Sequence, residues 1–74
     1  MFETQAVIFT EKEKLLLNLL CQDMTTSEIA TKMGLSPRTV EKIRDNCREK
    51  ADITHVHALV YYAVKNGIVP LFPD

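Results

Sequence analysis

The sequence predicts an all-α fold, a compact domain of four helices, and three observations support this prediction. Gly and Pro are scarce before residue 70, so the chain holds few of the residues that punctuate strands and turns. Helix-start signals recur along the chain, and apolar residues follow them at helical spacing. With 74 residues, 46% of them hydrophobic, the chain suffices for one small core and is too apolar for a disordered segment.

Capping boxes mark the starts of the first two helices. In a capping box a Thr hydroxyl accepts from the backbone N–H three residues on, and a Glu at that position reaches back. Thr10 and Thr25 each have a Glu three residues later. The two boxes predict helices over residues 11–22 and 26–33. Gly34 ends the second, because glycine tolerates the left-handed conformation of a helix end.

Two further helices follow in the second half of the chain. Ser36 can cap the third helix, and Pro37 suits its first position, where the missing N–H would lack a partner anyway. This helix is predicted over residues 37–50. The fourth, over residues 56–66, is almost entirely apolar and ends at Gly67.

Residues 26–43 have the spacing of a helix-turn-helix, whose second helix is the one that enters the major groove of DNA. Such a motif needs a small residue where the helices cross, which is Ala30, and a residue that tolerates positive φ in the turn, which is Gly34. An ordinary helical hairpin in an unrelated bundle is the alternative. The apolar anchors predicted to face the rest of the domain are Ile29, Met33, Leu35, Val40 and Ile43.

A longer series of residues matches a known family pattern, in order and without an internal gap. The series is Phe9, Thr10, Glu13, Leu16, Leu19, Leu20, Glu28, Ile29, Ala30, Leu35, Ser36, Thr39, Val40, Lys50, Leu59, Ala63, Gly67 and Ile68. On these residues the stretch 9–69 resembles the LuxR-type, or GerE-type, helix-turn-helix domain. The resemblance implies a four-helix domain that binds double-stranded DNA as a dimer in a bacterial transcription regulator. The ending YYAVKNGIV most resembles the output domain of NarL-type response regulators. Residues 1–8 are predicted to be a flexible lead-in and residues 70–74 a tail.

The chain departs from the family pattern at positions that bear on DNA contact. Glu41 stands where the family usually has Lys, and Ile43 where it usually has His or Tyr. Asp45 occupies a position that is often basic, and Asp23 one that is frequently Gly. Two acids on the groove-facing helix put the usual phosphate and base contacts in question.

Positive charge is concentrated around the third helix. The net charge of −1 argues against nucleic acid by itself, but residues 32–50 carry six basic groups against three acids. Steps of about 100° per residue place Val40, Ile43 and Cys47 inward. The residues placed on the opposite side are Arg38, Glu41, Lys42, Asp45 and Glu49, with Asn46 and Arg48 flanking them. Arg and Lys can pair with guanine, Asn with adenine and a carboxylate with cytosine, so the mixed face predicts a reader of DNA sequence. A solvated helix face is the alternative. The predicted DNA-binding residues are Thr26, Ser27, Arg38, Glu41, Lys42, Arg44, Asp45, Asn46, Arg48 and Lys50.

Thr26 and Ser27 enter this set because hydroxyl and N–H groups at a helix N-terminus suit a phosphate. Plain helix capping is the alternative explanation for these polar residues.

The fourth helix is predicted to form a homodimer. One stripe of Val56, Leu59, Val60 and Ala63 is expected to pack on the first and third helices. A twofold partner would cover a second stripe, because the same patch then covers itself. The alternative is that Tyr61 and Val64 cover the N-terminal residues or the tail at residues 71–72. The predicted dimer residues are His57, Tyr61, Val64 and Ile68.

Other classes of function find no support in the sequence. Cys21 and Cys47 are not in a CxxC pair, and His55 and His57 lie at a helix start, so no metal site or cofactor is predicted. No nucleophile–base arrangement suggests an enzyme or a small-molecule site. Lacking a signal peptide or a membrane span, the chain is expected to be cytoplasmic, with RNA polymerase as a candidate partner. The alternative functions are a protein-interaction module with the same fold, and the promoter-binding domain of a sigma-like factor.

Overall fold

The computed structural model describes residues 8–68, and the predicted lead-in before Ile8 and the tail at residues 70–74 lie outside this range. The described part is all-α, without a strand. Its helices are α1 (Glu11–Cys21), α2 (Thr26–Met33), α3 (Pro37–Ala51) and α4 (Val56–Lys65). The prediction of four helices is confirmed, each within one residue at either end. Among these helices none is long and apolar enough to cross a membrane.

The predicted caps are present with the expected geometry. Both capping boxes form: each Thr hydroxyl accepts from the N–H of the Glu three residues on, and each Glu carboxylate accepts from the Thr N–H at 2.8 Å. Ser36 accepts from the N–H of Thr39 at 3.2 Å, with Pro37 at the first position of α3. Gly34 ends α2 at φ +71°, which glycine adopts without steric cost. Local sequence therefore determines where three of the helices begin.

All four helices contribute buried residues to the core, and α2 packs mainly on α3. Ala30 is 3% exposed on α2, as expected for a residue where two helices meet. On α4, Leu59 and Ala63 are fully buried, and the helix contacts α1 and α3 as predicted. Phe9 packs edge-on against Tyr62, with ring centroids 6.5 Å apart. The buried core consists of Phe9, Leu16, Leu17, Leu19, Ile29, Ala30, Val40, Cys47, Leu59 and Ala63.

A partly buried ion pair joins α1 to the end of α3. The Lys50 ammonium donates to the Glu13 carboxylate at 2.6 Å and to the Ile8 carbonyl at 3.0 Å, and it lies 5.7 Å from the centre of the Phe9 ring. Burial by itself would raise the pKa of Glu13, but hydrogen bonds from Lys50 and from the Thr10 N–H outweigh it. The pKa of Glu13 is therefore lowered from its ordinary value of 4.5.

Two aspartates adopt the left-handed backbone conformation. Asp23 has φ +63° in the turn between α1 and α2, and Asp52 has φ +57° at the end of α3. This conformation disfavours residues with a Cβ, although Asp tolerates it better than most. The family's frequent glycine at the position of Asp23 now has a physical reason, since the backbone there needs positive φ.

Candidate nucleic-acid interface

The helix-turn-helix formed by α2 and α3 presents one face of α3 to solvent. Val40 and Cys47 are buried against the core, and Ile43 is half-buried and packs against it, as the helical period predicts. The opposite side is open. Its exposed members are Arg38, Thr39, Glu41, Lys42, Asn46 and Glu49.

The N-terminal half of α3 (residues 37–42) carries charged side chains that nothing in the described structure holds. Arg38 and Lys42 are exposed and have no ion-pair partner within residues 8–68. Glu41 lies exposed beside them and is likewise unpaired within this range. These groups are therefore available to a ligand, with two cations against one carboxylate.

In the C-terminal half of α3 (residues 44–51) the charged side chains are mostly anchored. Asp45 receives one Arg48 nitrogen at 2.5 Å and lies 3.8 Å from an Arg44 nitrogen. Arg48 also donates to the Thr54 carbonyl at 2.5 Å. The Arg44 and Arg48 side chains are only 27% and 30% exposed. The charged groups of this half are therefore engaged mainly with one another and with the loop that follows α3.

Lys50 belongs to the same anchored group. Its ammonium is bound to the buried Glu13, which leaves it poorly placed to contact a phosphate. The sequence pattern predicts only a capping role for Glu13 and gives no sign of this ion pair. No local spacing could have revealed the pair, because its members lie 37 residues apart.

The start of α2 offers donors to an anion. Thr26 is half-buried and Ser27 exposed. Their backbone N–H groups lie in the first turn and have no acceptor within residues 8–68, since the capping box takes up only the N–H of Glu28. Lys32 is exposed at the other end of α2 without an ion-pair partner in the same range. Lys32 belongs to the basic segment at residues 32–50, but it is not among the DNA-binding residues that the sequence predicts.

Part of the predicted dimer stripe is exposed on the outer face of α4. His57 is exposed, Tyr61 is 66% exposed, and the Lys65 ammonium lies 5.7 Å from the centre of the Tyr61 ring. Val64 is half-buried and partly packed against the core.

The placement of Ile68 on this stripe needs correction. The helix ends at Lys65, and Gly67 turns the chain at φ +71°. The Ile68 N–H then donates to the Ala63 carbonyl at 2.9 Å, and its side chain packs against the core. The continuous helical stripe predicted from the sequence therefore ends before Ile68.

Within residues 8–68 no group of three or more possible ligands is arranged to hold a metal ion. Cys47 is fully buried, and burial, reinforced by the nearby Glu13 carboxylate, raises its pKa to about 12. The Cys47 thiol is therefore a core side chain, as its place on the inward stripe predicts.

The capped helix-turn-helix, with its open and partly cationic second helix, places this chain in the class of helix-turn-helix domains. The family model of bacterial regulatory proteins of the luxR family (GerE) matches residues 7–63. The chain belongs to this family, which is one of regulatory proteins and not of enzymes.

Individual relatives agree with the family. The chain is 34% identical over 65 residues to the probable transcriptional regulator ycf29 of Porphyra purpurea, covering 88% of this chain and 31% of that protein. It is 35% identical over 60 residues to the transcriptional regulatory protein MctR of Rhizobium johnstonii, covering 81% of this chain and 28% of that protein. The chain thus spans about a third of the length of these relatives.

The fold also has a solved counterpart. The structure of the transcription factor GerE matches with a TM-score of 0.83 at 20% identity, covering 92% of this chain and 100% of that one. At this identity the match bears on the fold, and it confirms the compact four-helix arrangement predicted from the sequence.

Proposed function

We propose that this chain binds double-stranded DNA sequence-specifically, with the N-terminal half of α3 in the major groove. The observation that carries the proposal is that Arg38 and Lys42 project from the first turns of the second helix of a helix-turn-helix without an ion-pair partner in residues 8–68. In this motif the N-terminal residues of the second helix contact base edges. The free cations therefore lie in the part of α3 that meets the bases.

Each proposed contact follows from the chemistry of its side chain. Arg38 and Lys42 suit guanine, exposed Asn46 suits adenine, and Glu41 suits the amino group of cytosine. Ser27 and the N–H groups of Thr26 and Ser27 suit a phosphate. Arg44, Asp45, Arg48 and Lys50 are left out of the proposed direct contacts, because the ion pairs described above engage them.

The proposed biological role is transcription regulation. Both curated relatives are named as transcriptional regulators, and the chain corresponds to about a third of each. We propose that it serves as the DNA-binding output part of a regulator of the response-regulator type, acting in the cytoplasm, with RNA polymerase as a further candidate partner.

Binding is proposed to involve a homodimer paired through α4. The exposed His57 and Tyr61 form a self-complementary surface if two copies meet across a twofold axis. Tyr61→Glu should weaken the dimer in analytical sedimentation, and should weaken binding to a duplex with two half-sites more than to one with a single half-site. Lys12→Gln, on the exposed side of α1, changes the net charge equally and is the control. Equal loss on both duplexes would exclude this face.

Selection of bound sequences from random duplexes tests the proposed function directly. We expect one motif to be enriched, and its affinity to fall as salt rises, because bound phosphates release counterions. No enriched motif, with no duplex shifted by micromolar protein at low salt, would contradict DNA binding.

That negative result would favour a protein-interaction module with the same fold. The exposed carboxylates of Glu41 and Glu49 on the outer side of α3, and the net charge of −1, are the observations in its favour.

A further inference from the structure

We propose that Arg48 is a positioning residue that fixes the start of α4 to the outer side of α3 and thereby sets the preferred spacing of two DNA half-sites. The inference rests on the proposed DNA binding and on pairing through α4. One guanidinium makes both connections: one terminal nitrogen donates to the Asp45 carboxylate and the other to the Thr54 carbonyl, each at 2.5 Å. The name Arg48 bridge is used below for this set of three residues.

The start of α4 lacks the support that the other helices have. A Thr or Ser side chain caps each of α1, α2 and α3, but His55 at the N-cap of α4 makes no side-chain capping bond. Thr54, which directly precedes it, is the residue whose carbonyl the guanidinium holds. The Arg48 bridge therefore takes the place of a cap as the polar connection at this helix start.

Arg48 holds the connecting loop twice. Its backbone carbonyl accepts from the Ile53 N–H at 2.9 Å, after Asp52 turns the chain in the left-handed conformation. Its side chain then reaches Thr54. The planar guanidinium presents its donors in a fixed fork, so both ends are set by one rigid group.

The two ends of the Arg48 bridge lie on elements with different proposed tasks. Asp45 belongs to α3, the helix proposed to enter the groove, and Thr54 leads into α4, the helix proposed to pair. In a twofold dimer the distance between the two α3 helices depends on the angle between α3 and α4 in each copy. Half-site spacing mirrors that distance. A loosened bridge should therefore relax the preferred spacing and leave recognition of one half-site in place.

The Arg48 bridge explains why this chain has Asp45 at a position where the family often has a basic residue. An acid at this position gives Arg48 a partner three residues away on the same helix. A cation there would repel Arg44 and Arg48 and leave one end of the fork unbound.

The experiment measures binding to duplexes that carry the selected motif once, or twice at a series of spacings. Arg48→Lys keeps the charge but lacks the fork, and Arg48→Gln removes both. We expect both variants to bind the single half-site as the wild type does, and to lose on the order of tenfold in discrimination between best and worst spacing, as expected for loss of charge-assisted hydrogen bonds. Asp45→Asn, the milder change, should lose less. Arg38→Gln, the control, should bind all duplexes more weakly and keep the spacing preference.

The outcomes separate this inference from the proposed function. A wild-type protein that binds no duplex contradicts the proposed function itself. A wild type that binds without any spacing preference overturns the inference, as do Arg48 variants that keep the preference. Folded Arg48→Gln that loses single half-site binding, while Arg48→Lys retains both that binding and the spacing preference, would show a direct phosphate contact and also overturn it.

Discussion

The two halves of α3 carry similar kinds of charged residue but use them differently. In the N-terminal half, Arg38 and Lys42 extend into solvent without ion pairs in the described structure. In the C-terminal half, the cations Arg44, Arg48 and Lys50 all contact carboxylates. The first half is available to a ligand, and the second half holds the domain together.

A local charge count overstates the number of cations that are available to DNA. Residues 32–50 carry six basic groups, but three of them are engaged in ion pairs. The acids divide in the same way, since Asp45 is paired whereas Glu41 and Glu49 are exposed without partners in residues 8–68. Which charges meet DNA is therefore a property of the tertiary structure.

The largest expected effect concerns the scaffold role of Lys50. Lys50→Met should reduce the free energy of unfolding by about 2 kcal/mol, because it leaves the buried Glu13 carboxylate without its cation while Lys50 itself is partly exposed. Glu13→Gln should cost less, since an amide oxygen still accepts from Thr10 and Lys50. Urea denaturation measures both. Equal stability of Lys50→Met and wild type would contradict the anchored role.

The same pair predicts a pH dependence. The pKa of Glu13 is lower in the folded chain than its ordinary value of 4.5, so its stabilisation is present above about pH 4.5 and is lost as the pH falls through the folded value. Wild-type stability should therefore decrease on acidification more than that of Glu13→Gln. Urea denaturation at a series of pH values measures the stability of both proteins. Parallel profiles would show that Glu13 does not contribute to the pH dependence of stability.

Charge reversal on α3 compares its two halves directly. Glu41→Lys should raise affinity for duplexes without the selected motif roughly fivefold at low salt, because it adds a cation where the helix meets DNA. Glu49→Lys makes the same charge change in the C-terminal half and should raise it less. Fluorescence anisotropy measures both. An equal gain from the two variants would remove the distinction. If selection with Glu41→Lys enriches the same motif as the wild type, Glu41 leaves the set of proposed base contacts.

The smallest expected effect separates backbone strain from charge. Asp23→Gly should stabilise the fold by about 0.5 kcal/mol, because Asp23 has φ +63° and glycine adopts this conformation more readily. Its removal of one negative charge outside α3 should leave affinity for duplexes without the selected motif nearly unchanged, whereas Glu41→Gln, with the same charge change, should raise that affinity. Gln22→Gly, at φ −91°, is the backbone control and should destabilise. Thermal unfolding measures both variants. A lower stability of Asp23→Gly than of the wild type would contradict the account.

The fold could be predicted because its signals are local. Capping at Thr10, Thr25 and Ser36 and the turn at Gly34 each depend on residues within a few positions, and the helix bounds follow from them. The site could be predicted only in part. The outward direction of Arg38 and Lys42 follows from helical period, but the pairing of Lys50 with Glu13 depends on how α1 and α3 pack. Ile68 lies beyond the end of α4 because Gly67 turns the chain where the sequence pattern predicts a continued helical period.

The salt dependence of binding to a duplex with one half-site tests the central comparison most directly. Every cation that binding brings among the DNA phosphates, including one that reaches a base edge in the groove, helps to release condensed counterions. The slope of log affinity against log salt concentration changes by about 0.9 for each phosphate neutralised, whereas a cation bound only within the protein contributes nothing. We predict that Arg38→Gln and Lys42→Gln, the variants of the N-terminal half, together show a shallower slope than the wild type. Arg48→Gln and Lys50→Met should retain the wild-type slope. Slopes reduced equally by both pairs of variants would contradict the account, because the cations of the C-terminal half would then meet DNA as well.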